Sequence, residues 1–144
     1  MRAVNRRIVA LIFIGAVSLC STASWADDRE DATAVAKAFF VALSEKKFAQ
    51  IWDTQASDRY KNEMANTREG FIAILTSLRQ KIGRLTSSTV VYVKCDPPQP
   101  NWAFKGKTCG VIFENVYTTG ARQEGVHLLD ENGSFKIGSL MLGG

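Results

Sequence analysis

Thr89-Val90-Val91-Tyr92-Val93-Lys94-Cys95 is followed, across a loop holding all three prolines of the chain, by Cys109-Gly110-Val111-Ile112-Phe113-Glu114. These two stretches decide the fold. The first is dense in β-branched and aromatic residues, which suit a pleated, half-buried surface. The second belongs to a longer apolar run, Lys107 to Tyr117, and reads as its neighbour. The connection, Asp96 to Gly106, is too short for a crossover helix, so the pair is antiparallel. Cys95 and Cys109 then stand at facing ends of a hairpin. A bridge between them would close a ring of about 15 residues, worth roughly 3 kcal/mol in the chain-entropy model. Their spacing is far from Cys-x-x-Cys, and with His127 as the single histidine a zinc site lacks ligands. A structural disulfide is the expectation, with no metal and no cofactor.

Toward the C-terminus the strand pattern continues. Thr118-Thr119-Gly120 reads as a turn, Arg122 to Leu129 as a third strand, Asn132-Gly133 as a hairpin turn and Ser134 to Met141 as a fourth strand. Toward the N-terminus the period changes to helical. Val35, Ala36, Phe39, Phe40 and Leu43 form one stripe on a helix spanning about Asp28 to Ser44, with an acidic start that suits the helix dipole. Phe48 to Met64 predicts a second helical segment, with a candidate break in its polar middle, Asp53 to Asp58. Asn66 with Glu69 reads as a capping box opening a third helix, whose stripe is Phe71, Leu75, Leu78 and Ile82, ended by Gly83. The fold class is therefore α+β: three N-terminal helices packed on a curved antiparallel sheet of about four strands.

Residues 1–26 read as a cleavable signal peptide: basic Arg2, Arg6 and Arg7, an apolar run from Ile8 to Leu19, and small residues Ser24 and Ala26 before the break. The rival readings are a retained anchor, for which the run is short, and a lipoprotein at Cys20, for which Leu19 is the wrong neighbour. Residues 27–144 form one domain. Removing the signal leaves fifteen basic against fourteen acidic residues, so the basic balance of the whole chain is largely a targeting effect. That gives no warrant for nucleic acid as a partner, and no second apolar run spans a membrane. The expected location is exported, periplasmic first and extracellular second.

The order of elements resembles the cone-shaped fold of nuclear transport factor 2 and ketosteroid isomerase. More specifically, Phe39-Phe40 to Lys46-Lys47, Phe48 with Trp52, Leu78-Arg79-x-x-Ile82-Gly83, and Asn132-Gly133 before Phe135-Lys136-Ile137-x-x-x-Leu140 resemble a family of small exported bacterial domains of unknown function. The resemblance implies a pocket inside the cone and dimerisation through the sheet; it implies no activity.

The candidate chemistry is sparse. His127 sits among Val126, Leu128 and Leu129 and reads as a half-buried strand residue rather than a general base. An isomerase-like site would draw a carboxylate and a tyrosine from Asp53, Tyr60, Tyr92 and Tyr117. Arg79 could meet an anionic ligand at the mouth of the cone, pair with a surface carboxylate, or snorkel. Trp102, on the stiff proline loop, reads as a partner anchor or as folding back, with Phe104, onto the sheet. The second strand carries apolar residues of both parities, Val111 and Phe113 against Ile112 and Val116. A cover for each face is therefore expected, with monomer and homodimer both open. The reading is an exported, non-enzymatic domain binding a small ligand or a protein partner, with contacts expected at Trp102, Arg79 and Tyr92. The alternatives are an isomerase- or hydratase-like enzyme using the cone, and an accessory subunit of an envelope assembly.

Overall fold

The computed structural model describes residues 22–142. The basic and apolar parts of the expected signal, with Cys20, lie outside the described residues. The described residues form four α-helices and then one four-stranded antiparallel sheet, so the architecture is α+β.

Helix α1 spans Thr22–Ser44. It starts six residues before the expected Asp28, so Ser24-Trp25-Ala26 lies within the helix. The acidic group from Asp27 to Asp31 becomes a first turn only in a chain cut after Ala26. Its inner face buries Ala32, Ala36, Phe39, Phe40 and Leu43. Lys46, at φ 57°, ends this run and turns the chain into α2, Phe48–Gln50, which continues as a π-helical turn, Ile51–Gln55.

The second expected helix is divided where its polar middle suggested. Ala56 makes a parallel bridge to Ile137, and the Ser57 amide donates to the Ile137 carbonyl at 2.9 Å. This sheet contact takes the backbone out of helix. Ser57 then caps α3, Asp58–Met64, by accepting from the Tyr60 amide. Four helices therefore replace the expected three. Helix α4 spans Arg68–Arg79 and is capped by Thr67, which accepts from the Gly70 amide. Asn66 is not the cap; it sits at φ 54°, in the left-handed turn that separates α3 from α4.

The stripe of α4 also differs from expectation. Phe71, Leu75 and Arg79 are its buried residues, whereas Leu78 is exposed. Spacing of four from Leu75 leads to Arg79 as readily as spacing of three leads to Leu78. The arginine wins because it finds a carboxylate inside. Gly83 does not end the helix in a left-handed residue. It lets the chain pass Thr118, whose Oγ1 would lie 1.9 Å from an added Cβ.

Strands β1 (Leu85–Asp96), β2 (Thr108–Tyr117), β3 (Gly120–Glu131) and β4 (Ser134–Leu142) pair in sequence order. Asn132 and Gly133, at φ 57° and 80°, make the β3–β4 turn, as the Asn-Gly signal predicts. The disulfide Cys95–Cys109 joins directly paired residues of β1 and β2. The helices cover one face of the sheet. Against it lie Val111, Phe113, Val126, Leu128, Phe135 and Ile137, packed on Phe39, Phe40, Ile51, Phe71 and Leu75. The Phe40 ring meets the Phe113 ring edge-on at 5.3 Å. Among the described residues no helix is long and apolar enough to cross a membrane.

Candidate functional site

Strand parity that buries Val111 and Phe113 also turns Asn115 and Tyr117 toward the helices, and parity that buries Val126 and Leu128 does the same for Glu124. Arg79 reaches these residues from the last turn of α4. Its Nη1 donates to Glu124 Oε1 at 2.7 Å, with side chains only 3% and 1% exposed. Glu124 Oε2 accepts from Asn115 Nδ2 at 2.9 Å and from the Tyr117 hydroxyl. Ser88 on β1 donates to Asn115 Oδ1 at 2.6 Å. Three strands and one helix thus converge on a single carboxylate, the one carboxylate buried among the described residues.

Both Glu124 oxygens are engaged, so the carboxylate serves as an anchor for its neighbours. Removal from water raises the Tyr117 phenol pKa, and its hydrogen bond to Glu124 adds to the rise. Tyr60, on α3, packs edge-on against Phe71 at 5.5 Å between centroids. Burial pushes its phenol up to about 12, against the opposing charge of Arg79. The Tyr60 hydroxyl, Arg79 Nε and Arg79 Nη2 are buried and have no hydrogen-bond partner among the described residues.

Of the residues singled out in the sequence, Arg79 pairs with a carboxylate, but inside the fold rather than on the surface. Asp53 lies away from this cluster. It is part of an exposed pair with Arg68, whose charge and hydrogen bond hold its carboxyl below the usual carboxylate range. Glu124 and Asn115 were missed. Tyr117 was named only as one of several strand tyrosines.

Tyr92 lies on the other face of the sheet and is 50% exposed. It heads a row that crosses all four strands, Tyr92–Ile112–Gly125–Met141. Beside this row runs Lys94–Gly110–His127–Ser139. His127 is half-buried, and burial lowers its pKa, with Arg59 adding to the effect. The row contains a shallow hollow of about 140 Å³, lined by Ile112, Gln123, Glu124, Gly125, Met141 and Leu142.

Trp102 is 44% exposed, on the loop closed by the disulfide, while Phe104 is half-buried. The two residues therefore part company: Phe104 lies over Gly106, and Trp102 faces solvent. At the base of this loop Lys107 bonds Asp28 at 2.6 Å and nears Asp130 at 3.9 Å, beside a cleft of about 270 Å³. The Asp28 hydrogen bond raises the Lys107 pKa. This pair fastens the loop to the N-terminal half of α1. Among the described residues no group of three or more His, Cys, Asp or Glu side chains is arranged to hold a metal ion.

No model of a known protein family matches the chain, and no curated protein matches it.

Proposed function

We propose that the chain is an exported, non-enzymatic binding domain of the cell envelope, and that the outer face of its sheet docks a second copy of the same chain. The observation that carries this reading is the self-complementary pattern of that face. A two-fold axis along the strands would set β1 over β4 of the second copy, and β2 over its β3. Tyr92 would then meet Met141, a favourable sulfur–aromatic contact. Ile112 would meet the hollow at Gly125, and His127 would meet Gly110. Lys94 would face Ser139, and Glu114 would face Gln123, with no like charges opposed. A two-fold interface requires this kind of self-matching, and sheets stack readily with their strands nearly aligned.

Support for export comes from the N-terminal sequence pattern and from the disulfide, which persists in oxidising compartments. Support for the resemblance to the cone-shaped fold comes from helices that precede a four-strand meander. The register shifts between Val90 and Tyr92 and between His127 and Leu128 add to it, since bulges bend strands. The isomerase-like alternative draws on the Tyr117–Glu124 hydrogen bond, yet a general base must reach its substrate, and Glu124 is buried and held by Arg79, Asn115 and Tyr117. The accessory-subunit alternative draws on exposed Trp102.

Sedimentation of the exported chain tests the reading. The expected result is a dimer that Ile112→Glu converts to a folded monomer with an unchanged circular dichroism spectrum, because this half-buried residue lies outside the core; its thermal midpoint should fall only to that of the dissociated wild-type chain. A wild-type monomer, or a dimer that survives the substitution, would overturn it.

A further inference from the structure

A cleft of about 420 Å³ opens where α1 and α4 end beside the β2–β3 turn, lined in part by Ser44, Lys46, Gln80, Lys81, Arg84 and Thr119. Three cations reach it from two separate stretches of chain: Lys46 after α1, and Lys81 and Arg84 after α4. None of the three forms an ion pair among the described residues. The one carboxylate on the lining among the described residues, Glu45, is held by Lys47 at 2.6 Å. The cleft beside Lys107 has the opposite make-up: there one amine bonds Asp28 and nears Asp130. Part of the positive charge answers the helices. Each helix C-terminus carries roughly half a negative charge, so two of them offset about one cation. About two positive charges are left without a counter-charge on the protein.

The lining is fixed in advance. Lys46 has a left-handed backbone, φ 57°, at the position after a helix where glycine is the usual residue. Lysine accepts strain there that glycine would avoid, and what it adds is a charge at the cleft. The Leu85 amide donates to Ser44 Oγ at 2.7 Å, and the Gly83 amide to Thr119 Oγ1 at 3.3 Å. The Arg84 amide donates to Thr118 Oγ1 at 3.1 Å, and the Arg84 carbonyl accepts from the Thr118 amide at 2.9 Å. The bonds to Ser44 and Thr119 use each hydroxyl as an acceptor, which leaves its proton to be donated. A wall whose backbone is already tied loses little freedom on binding.

The structure assigns this cleft to a small phosphate monoester with a hydroxylated remainder. Such a phosphate carries about two negative charges at neutral pH, which matches the surplus. Its oxygens accept from Lys46, Lys81 and Arg84, and a guanidinium meets phosphate with two parallel bonds. A carboxylate or a chloride ion leaves part of the charge unmatched. The volume exceeds what the phosphate group alone fills, and Gln80 with the Ser44 and Thr119 hydroxyls suits the hydroxyls of the remainder. None of these residues belongs to the rows of Tyr92 and His127 on the outer face of the sheet, so the site does not rest on the dimer.

Titration calorimetry of the processed exported chain tests this, with glycerol 3-phosphate as the probe in low salt. Glycerol and sodium acetate are titrated at matched ionic strength, and phosphatidylcholine vesicles containing phosphatidylglycerol present the same headgroup on a lipid. Glycerol 3-phosphate should bind saturably, one per chain, and glycerol and acetate should not. Lys46→Gly, Lys81→Gln and Arg84→Gln should each weaken it about ten-fold, through loss of a charged hydrogen bond. All three should fold. Glycine suits the left-handed backbone at position 46, and Lys81 and Arg84 are exposed. Circular dichroism checks that. Four outcomes would overturn the proposal: no saturable binding of glycerol 3-phosphate, equal binding of glycerol, association with the vesicles but not with glycerol 3-phosphate, or unchanged affinity in two of the three variants. None of these outcomes bears on the dimer, which is read by sedimentation.

Discussion

Arg68 and Arg79 stand at opposite ends of α4 and meet carboxylates in opposite surroundings. Arg68 holds Asp53 with two well-placed bonds, and both side chains are roughly half exposed. Arg79 holds Glu124 with one bond from Nη1, and both side chains are almost fully buried. The outer pair has the better fork, the inner pair the higher stake. Water screens the first and would solvate either partner if the other were lost. Neither partner of the second has that recourse, so each depends on the other for its charge to be tolerated. Fit and burial are thus separate quantities, and burial sets the energetic consequence.

The sharpest way to break this contrast is Glu124→Gln. It leaves a buried guanidinium without its counter-charge, and removing one partner of such a pair costs about 3–5 kcal/mol. Chemical denaturation should show that loss. Arg79→Met combined with Glu124→Met should recover part of it, because no unpaired charge remains. The recovery stays incomplete, since Asn115 Nδ2 and the Tyr117 hydroxyl lose their acceptor. Equal stability of the single and double variants would mean that the ion pair does not hold α4 to the sheet.

A second, smaller effect compares the fastened hairpin with the rest of the sheet. Cys95 and Cys109 are 14 residues apart in sequence. Opening that ring, by reduction or by serine at both positions, should cost roughly 3 kcal/mol through the entropy of the unfolded chain. Denaturant midpoints with and without reductant measure it. The β3–β4 hairpin, closed by Asn132-Gly133 alone, gives no such response.

The strands and the disulfide were legible because their signals are local: β-branched runs, an Asn-Gly turn, two cysteines at facing strand ends. The division of the second helix was visible in its polar middle but not its cause, since Ile137 lies far along the chain. The buried cluster was harder. Phe71, Leu75 and Leu78 make as good a stripe as Phe71, Leu75 and Arg79, and apolarity favours the wrong one. What decides between them is Glu124, on a strand whose position relative to α4 no local pattern encodes. A usable signal was present in strand parity. Counting by twos from Val111 and Phe113 reaches Asn115 and Tyr117, and counting back from Leu128 and Val126 reaches Glu124. Polar residues at core-facing positions on neighbouring strands imply a shared partner.

The smallest expected effect lies at the outer pair. Arg68, by hydrogen bond and by charge, holds Asp53 below its ordinary 3.8. A carboxyl whose folded pKa is depressed contributes stability above its unfolded pKa and loses it as pH falls through the folded value. The contribution of Asp53 is therefore complete at neutral pH and disappears only below about 3.8. Asp53→Asn should leave the thermal midpoint at pH 7 nearly unchanged in moderate salt, where exposed charges are screened. Low salt should reveal a small deficit at neutral pH that vanishes in strong acid. A deficit at neutral pH that persists in high salt, approaching that of Glu124→Gln, would show that the fork, and not burial, governs what an arginine on this helix is worth.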